Sequence, residues 1–189
     1  MPATRFGASV NGAGNSLSVT ESTRLRLRRL QAEDAPFVLE LLTDPAFLAN
    51  VGDRGVHDLE GARRYIAEGP RTSYQRFGFG LYLVELKGGS QALGLCGLLR
   101  RDSHVDVEIG FALLPQARGH GYAREAAAAT MRFAVETLGL RRVVAITAPD
   151  NIDSVRILEQ VGLRFARMVH FTPDGRESRL FVFESPAAT

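Results

Sequence analysis

The residues best suited to chemistry lie in one short run, Gln116-Ala117-Arg118-Gly119-His120-Gly121-Tyr122-Ala123. Two glycines here free the backbone just before an alanine-rich stretch. The amide groups of a helix's first turn have no helical partner, and the helix dipole adds partial positive charge there. Such a turn can seat an anion such as a pyrophosphate. Arg118 and Arg124 add formal charge beside it. The pair of glycines lacks the third glycine and acidic ribose partner of a dinucleotide fold, and the Lys-Ser/Thr of a P-loop. On its own it is equally the tight turn between a strand and a helix. His120 either reaches a phosphate or is an exposed turn residue. Further on, Asn151 and Ser154 sit three apart at a helix start, so both can face one point. Cys96, in a glycine-rich stretch, reads as a small buried hydrophobe rather than a nucleophile. His57, His104 and His170 have no neighbours at ligand spacing and read as structural or surface groups.

These residues need elements to hold them. Arg24-Leu25-Arg26-Leu27-Arg28 alternates with period two, which predicts a strand with one wet face. Its arginines read as a solvated face or as a patch that grips phosphate. Helices are expected from Asp34 to Leu42, ended by Thr43-Asp44-Pro45, and from Asp58 to Ala67, stopped by Gly69-Pro70. Strands follow at 79–86, 92–99 and 105–114. Gly94 and Gly97 within the second suggest a close approach or a bulge. The alanine-rich helix runs from Tyr122 to Leu138, capped by Gly139. Val143 to Thr147 is a short apolar strand, and a helix follows to Val161, with Gly162 after it. Strands at 164–171 and 178–183 are joined by the turn Thr172-Pro173-Asp174-Gly175. Short turns make the 79–114 strands antiparallel, and the 105–147 unit is a parallel crossover. The expected fold is α/β (α+β): a mixed central sheet of six to seven strands with helices on both faces. Residues 1–16 read as a flexible arm, 17–185 as one domain and 186–189 as a tail.

The chain has 189 residues, 45% apolar and 23% charged, which is ordinary for a globular domain. No apolar run approaches the ~18 residues of a membrane span, and the first twenty residues lack a signal-peptide core. One cysteine, no CxxC and scattered histidines exclude a structural zinc site; no metal is expected. A cytoplasmic location is expected. The formal net charge is +2, and Lys87 is the single lysine among 23 basic residues. That balance argues weakly for nucleic acid as the main partner.

Gln116-x-x-Gly119-x-Gly121 between a strand and a helix resembles the acetyl-CoA signature of the GNAT N-acetyltransferases. Three further segments resemble the RimJ/RimL-like branch, whose founders acetylate N-terminal amines of ribosomal proteins. They are Thr23-Arg24-Leu25-Arg26-Leu27-Arg28 with Glu33-Asp34, then Glu108-Ile109-Gly110-Phe111 with Leu113-Leu114-Pro115 and Gly121-Tyr122-Ala123-Arg124-Glu125-Ala126, and last Asn151-x-x-Ser154-x-Arg156-x-Leu158-Glu159-x-x-Gly162-Leu163. In order, they span about residues 20 to 184.

The resemblance implies acetyl-CoA as co-substrate and a primary amine as acceptor, either a protein N-terminus or a small molecule. Arg118, Gly119, His120, Gly121, Tyr122 and Ala123 would take the pyrophosphate through backbone amides. The backbone of Ala112, Leu113 and Leu114 would meet the pantetheine arm between two splayed strands. Asn151, Ser154 and Arg156 belong to the region that reaches the arm and the thiol. The amine must lose a proton as it attacks the thioester, so a base is needed, and the oxyanion needs a donor such as the Leu113 or Leu114 amide. Glu108 is the first candidate base, or else a structural carboxylate paired with an arginine; Asp106 is a weaker one. Many GNAT enzymes carry a tyrosine acid where this chain has Leu158. Ser154 is the named substitute donor, and it reads equally as a residue of the helix start. The acceptor pocket is expected from residues 34–67 and the last hairpin, where Glu40, Asp44, Asp53, Glu68 and Glu177 would attract a cation. The family admits a monomer or a homodimer. Two other classes fit the same residues: a non-catalytic acyl-CoA sensor or interaction module, and an arginine-rich RNA binder resting on the 24–28 strand.

Overall fold

The computed structural model describes residues 17–101, 105–170, 175 and 177–185. The expected arm at 1–16, the tail at 186–189, His104 and most of the turn at 172–175 lie outside them.

Eight strands form one sheet in the order β1-β2-β3-β4-β5-β6-β8-β7. They are β1 (Ser18–Glu21), β2 (Leu25–Arg29), β3 (Leu81–Leu86), β4 (Ala92–Arg100), β5 (Val107–Leu113), β6 (Arg142–Thr147), β7 (Arg164–Val169) and β8 (Ser178–Glu184). The helices are α1 (Ala35–Leu42), α2 (Pro45–Val51), α3 (Leu59–Ile66), α4 (Thr72–Phe77), α5 (Tyr122–Arg132) and α6 (Ile152–Gln160). Every pairing is antiparallel except β5 with β6, the two strands that flank α5. The sheet is mixed, as expected, with eight strands rather than six to seven. The added strand, β1, is a four-residue polar edge that pairs with β2 across a bulge, too short to show a period.

Helices cover both faces. Ala126, Ala127 and Met131 of α5 and Val155 and Leu158 of α6 pack with Leu98, Ile109 and Val143. On the other face Val38, Leu41 and Leu42 of α1 and Ala62 and Ile66 of α3 pack with Leu83 and Leu95. The alanines of α5 let it lie close to the strands. Gly94 and Gly97 answer to a close approach: a Cβ on either would stand 2.2 Å from a backbone oxygen, of Ala112 or Gly80.

The first helix stops where expected, at Thr43, but a new helix starts at once after it, and the expected stop at Gly69-Pro70 is not one. Asp44 ends α1 but caps α2, accepting from the Phe47 amide at 3.1 Å, with Pro45 in the first turn where its missing N–H is harmless. Pro70 lies inside a widened π turn, Ala67–Arg71, that joins α3 to α4. The Thr72 hydroxyl donates to the Ala67 carbonyl at 3.0 Å within that turn.

The Tyr74 ring of α4 stacks on Tyr82, and its hydroxyl accepts from the Leu30 amide at 3.2 Å and donates to the Leu81 carbonyl. Leu30 is fully buried. Tyr74→Phe strands these backbone groups and should cost about 1–3 kcal/mol of stability in urea denaturation; an unchanged midpoint would contradict the assignment.

Candidate active site

β5 and β6 pair at two positions only, Val107 with Val143 and Glu108 with Val144. Beyond them β5 runs on to Leu113 and β6 to Thr147 without meeting again, so a gap opens in the sheet. The Leu114 amide donates to the Leu93 carbonyl at 2.9 Å, which fixes the phase of the β4–β5 ladder. Backbone groups of Leu114, Ala112 and Gly110 therefore point to β4, and those of Leu113, Phe111 and Ile109 point toward the gap. Of the three expected backbone contacts, only Leu113 offers its amide to the gap; the Ala112 and Leu114 amides face β4. Phe111, missed from the sequence, joins Leu113 by the same alternation.

The glycine turn closes the mouth of this gap. Gly119 and Gly121 have φ of 78° and 77°, a left-handed conformation that side-chain-bearing residues rarely adopt. The Glu125 amide makes the first bond of α5, to the Gly121 carbonyl at 3.1 Å. The amides of Tyr122, Ala123 and Arg124 thus precede the helical ladder and are free to take an anion.

A cleft of about 1510 Å³ runs along the gap. Its wall contains Glu108, Ala112, Leu113, Arg118, Gly119, Gly121, Tyr122 and Ala123 from the β5–α5 side. Asn151, Ser154 and Arg156 line it from α6. The Asn151 side chain accepts from the Ser154 amide at 3.1 Å, so Asn151 is the helix cap and the Ser154 hydroxyl is not. Arg156 is largely exposed and 3.9 Å from Asp153. His120 and Leu114 are not in the wall. The His120 ring leans on Tyr122, with centroids 5.6 Å apart, and Leu114 is buried beneath α1 and α3.

Glu108 stands at the apex, on the last rung shared by β5 and β6. It is 4% exposed and takes a bidentate grip from Arg101, at 2.6 and 3.1 Å. The paired-carboxylate reading of Glu108 is thus realised. Asp106 lies before β5, outside the wall, and bonds Arg142 at 3.1 Å through each oxygen. Cys96 is fully buried with its sulfur 3.3 Å from the Thr130 hydroxyl, and burial pushes the thiol up to about 12, far from a nucleophile's range.

Beyond Glu108 the cleft continues past Phe47, Asp53, Arg54, Tyr65, Glu68 and Glu177. The early helices and the last hairpin therefore meet here. Among the expected carboxylates, Glu40 and Asp44 are elsewhere. Tyr65 and Arg101 carried no motif; burial raises the Tyr65 phenol above its ordinary value, against the nearby Arg54 and Arg101 charges.

Residues 24–164 match the acetyltransferase (GNAT) domain, and the chain belongs to that family. It is 26% identical over 141 residues to the uncharacterized N-acetyltransferase YnaD of Bacillus subtilis (strain 168), covering 75% of this chain and 79% of that one. An acetyltransferase from Agrobacterium tumefaciens str. C58 superposes with a TM-score of 0.73 at 24% identity, over 97% of this chain and 100% of the other. A RimL ribosomal-protein alpha-N-acetyltransferase solved with coenzyme A superposes with a TM-score of 0.66 at 17% identity, over 88% and 97%. Likeness at those identities speaks for the fold. Among the described residues no group of His, Cys, Asp and Glu could hold a metal, and no helix is long and apolar enough to cross a membrane.

Arg118 ties the mouth of the gap to α2. Its guanidinium donates to the Leu113 carbonyl at 3.0 Å and to Asp44 at 2.7 Å. Burial pushes the Asp44 carboxyl up, but Arg118 and the Phe47 amide outweigh it and hold it below its ordinary 3.8. The pair thus adds stability above that value and loses it as pH falls through the lower folded one. Asp44→Asn should flatten the loss of thermal stability between about pH 5 and pH 2; an unchanged slope would contradict the pairing.

Proposed function

We propose that this chain transfers an acetyl group from acetyl-CoA to a primary amine by direct attack within a ternary complex. One observation carries the reading: a sheet that parts after two β5–β6 rungs, with the unpaired Leu113 amide opening beside a glycine turn of free amides. The gap suits an extended, amide-bearing arm, and the turn suits a diphosphate, so the residues present fit this co-substrate. Acetyl-CoA supplies an activated acyl group as a thioester.

In this reading Gly119 to Ala123 hold the diphosphate through backbone amides. The backbone of Phe111 and Leu113 aligns the arm, and the Leu113 amide stabilises the oxyanion. The amine nitrogen forms a bond to the carbonyl carbon, the carbon–sulfur bond breaks, and the thiolate takes up a proton. Glu108 accepts the proton that the amine loses. Ser154 and Asn151 sit near the departing sulfur, and the Ser154 hydroxyl is the proposed donor to it. Buried Cys96 leaves no role for an acetyl-cysteine intermediate. The acceptor enters from the side of Tyr65, Arg54 and Glu177; a protein N-terminus, as in the RimJ/RimL-like branch, or a small amine fits that description. The alternative, a non-catalytic acyl-CoA sensor, draws support from the grip of Arg101 on Glu108.

Acetyl-CoA at ~100-fold its dissociation constant should stabilise the protein by about 2.7 kcal/mol, a rise of roughly 5–10 °C in Tm. Gly121→Trp, still folded, should lose that rise. No rise in the wild type would remove the basis of the reading. Once an amine acceptor is in hand, Glu108→Gln should lower kcat by about 10²–10⁴-fold. A wild type that binds acetyl-CoA but acetylates no amine in a broad screen would favour the sensor.

A further inference from the structure

The three arginines of the first alternating strand are not alike. Arg26 pairs with Glu21 at 3.3 Å. Arg28 bridges Glu85 and Asp34, and all its side-chain nitrogens are engaged, at 2.7 to 3.2 Å. Arg24 reaches across to the first turn of α5. Its Nε donates to Glu125 at 2.7 Å, its backbone amide to the same carboxylate at 2.8 Å, and its Nη1 to the His120 carbonyl at 3.1 Å. Its guanidinium lies 4.6 Å over the Tyr122 ring. The Ser22 hydroxyl completes the hold on Glu125 at 2.7 Å.

These contacts bracket Gly121 from both sides, through His120 and through Tyr122 and Glu125. Nη2 has no bond among the described residues. It lies 3.6 Å from the point where a Cβ on Gly121 would stand. Arg24 thus sets the shape of the turn and leaves one charged donor beside the free amides. It also offsets Glu125, whose carboxylate would otherwise repel an anion there. Arginine suits this task, since its planar fork spans several oxygens at fixed angles and a lysine's single ammonium does not.

Building on the acetyl-CoA reading, we infer that Arg24 is a phosphate-binding residue of this chain: it clamps the glycine turn through His120 and Glu125 and presents Nη2 to a phosphate of the coenzyme. The assignment is separate from the backbone amides of the turn. It also separates Arg24 from Arg26 and Arg28, whose guanidinium groups pair with carboxylates away from the turn.

The test is calorimetric titration of coenzyme A and of pantetheine, which lacks the phosphates, into wild type, Arg24→Met, Glu125→Gln and the double variant. Arg24→Met should weaken coenzyme A by about tenfold or more, the order of one charge-assisted hydrogen bond, and leave pantetheine within about twofold. The double variant should stay weak, because removing Glu125 does not restore the donor. In turnover, KM for acetyl-CoA should rise while kcat holds. Unchanged coenzyme A affinity in Arg24→Met would overturn the inference. So would recovery in the double variant, which would make Arg24 a counter-charge only, or an equal loss for pantetheine, which would make it a scaffold only. If Arg24→Met does not fold, Arg24→Lys is read in the same way. Failure of wild type itself to bind coenzyme A is a different result and removes the acetyl-CoA reading as well.

Discussion

The rest of the molecule is arranged around a parallel ladder that stops after its second rung. β5 and β6 share Val107–Val143 and Glu108–Val144 and then part. Backbone donors and acceptors need partners, so the parted edge of β5 turns its amides to the cleft, where water or a molecule with peptide-like groups can meet them. Neighbouring features keep the gap open. Ala126 and Ala127 let α5 pack under β5, and Val155 and Leu158 of α6 fill the same core. At the mouth Arg118 ties the Leu113 carbonyl to the cap of α2. At the apex Glu108 is fixed by Arg101.

Charge follows the same plan. The chain has nearly as many acidic as basic residues, and almost all its cations are arginines. Several pair across elements: Arg24 with Glu125, Arg28 with Glu85 and Asp34, Arg101 with Glu108, and Arg118 with Asp44. In part-buried pairs of this kind desolvation offsets much of the Coulombic gain. Their use is geometric, because a forked donor fixes the angle between two elements as well as the distance. Arg24 and the strand that follows it thereby brace the glycine turn and the α1 end of the sheet, rather than offering three free arginines to a polyanion.

What could be read from the sequence was whatever depends on near neighbours in the chain. The glycines at 119 and 121 announced a tight turn between strand and helix, Asn151 a helix start, and the strand periods and connections a mixed sheet with helices on both faces. Pro45 rightly marked the end of α1 but hid α2, because a proline suits the first turn of a helix as readily as its end; Pro70 misled because a widened turn can absorb one. The ladder phase that selects Leu113 and Phe111 over Ala112 and Leu114 depends on which partner β4 presents, and no local pattern carries that. The grip of Arg101 on Glu108, the place of Tyr65 in the cleft and the reach of Arg24 to Glu125 are likewise tertiary facts.

The central claim is that the parted strands and the glycine turn are one site for one extended molecule. A crystal structure of the protein with acetyl-CoA tests it most directly. The account predicts the diphosphate on the amides of Gly119 to Ala123 and the arm alongside Phe111 and Leu113, with the thioester near Glu108. Acetyl-CoA bound away from the gap, or a gap closed by further β5–β6 pairing with the coenzyme absent, would contradict it.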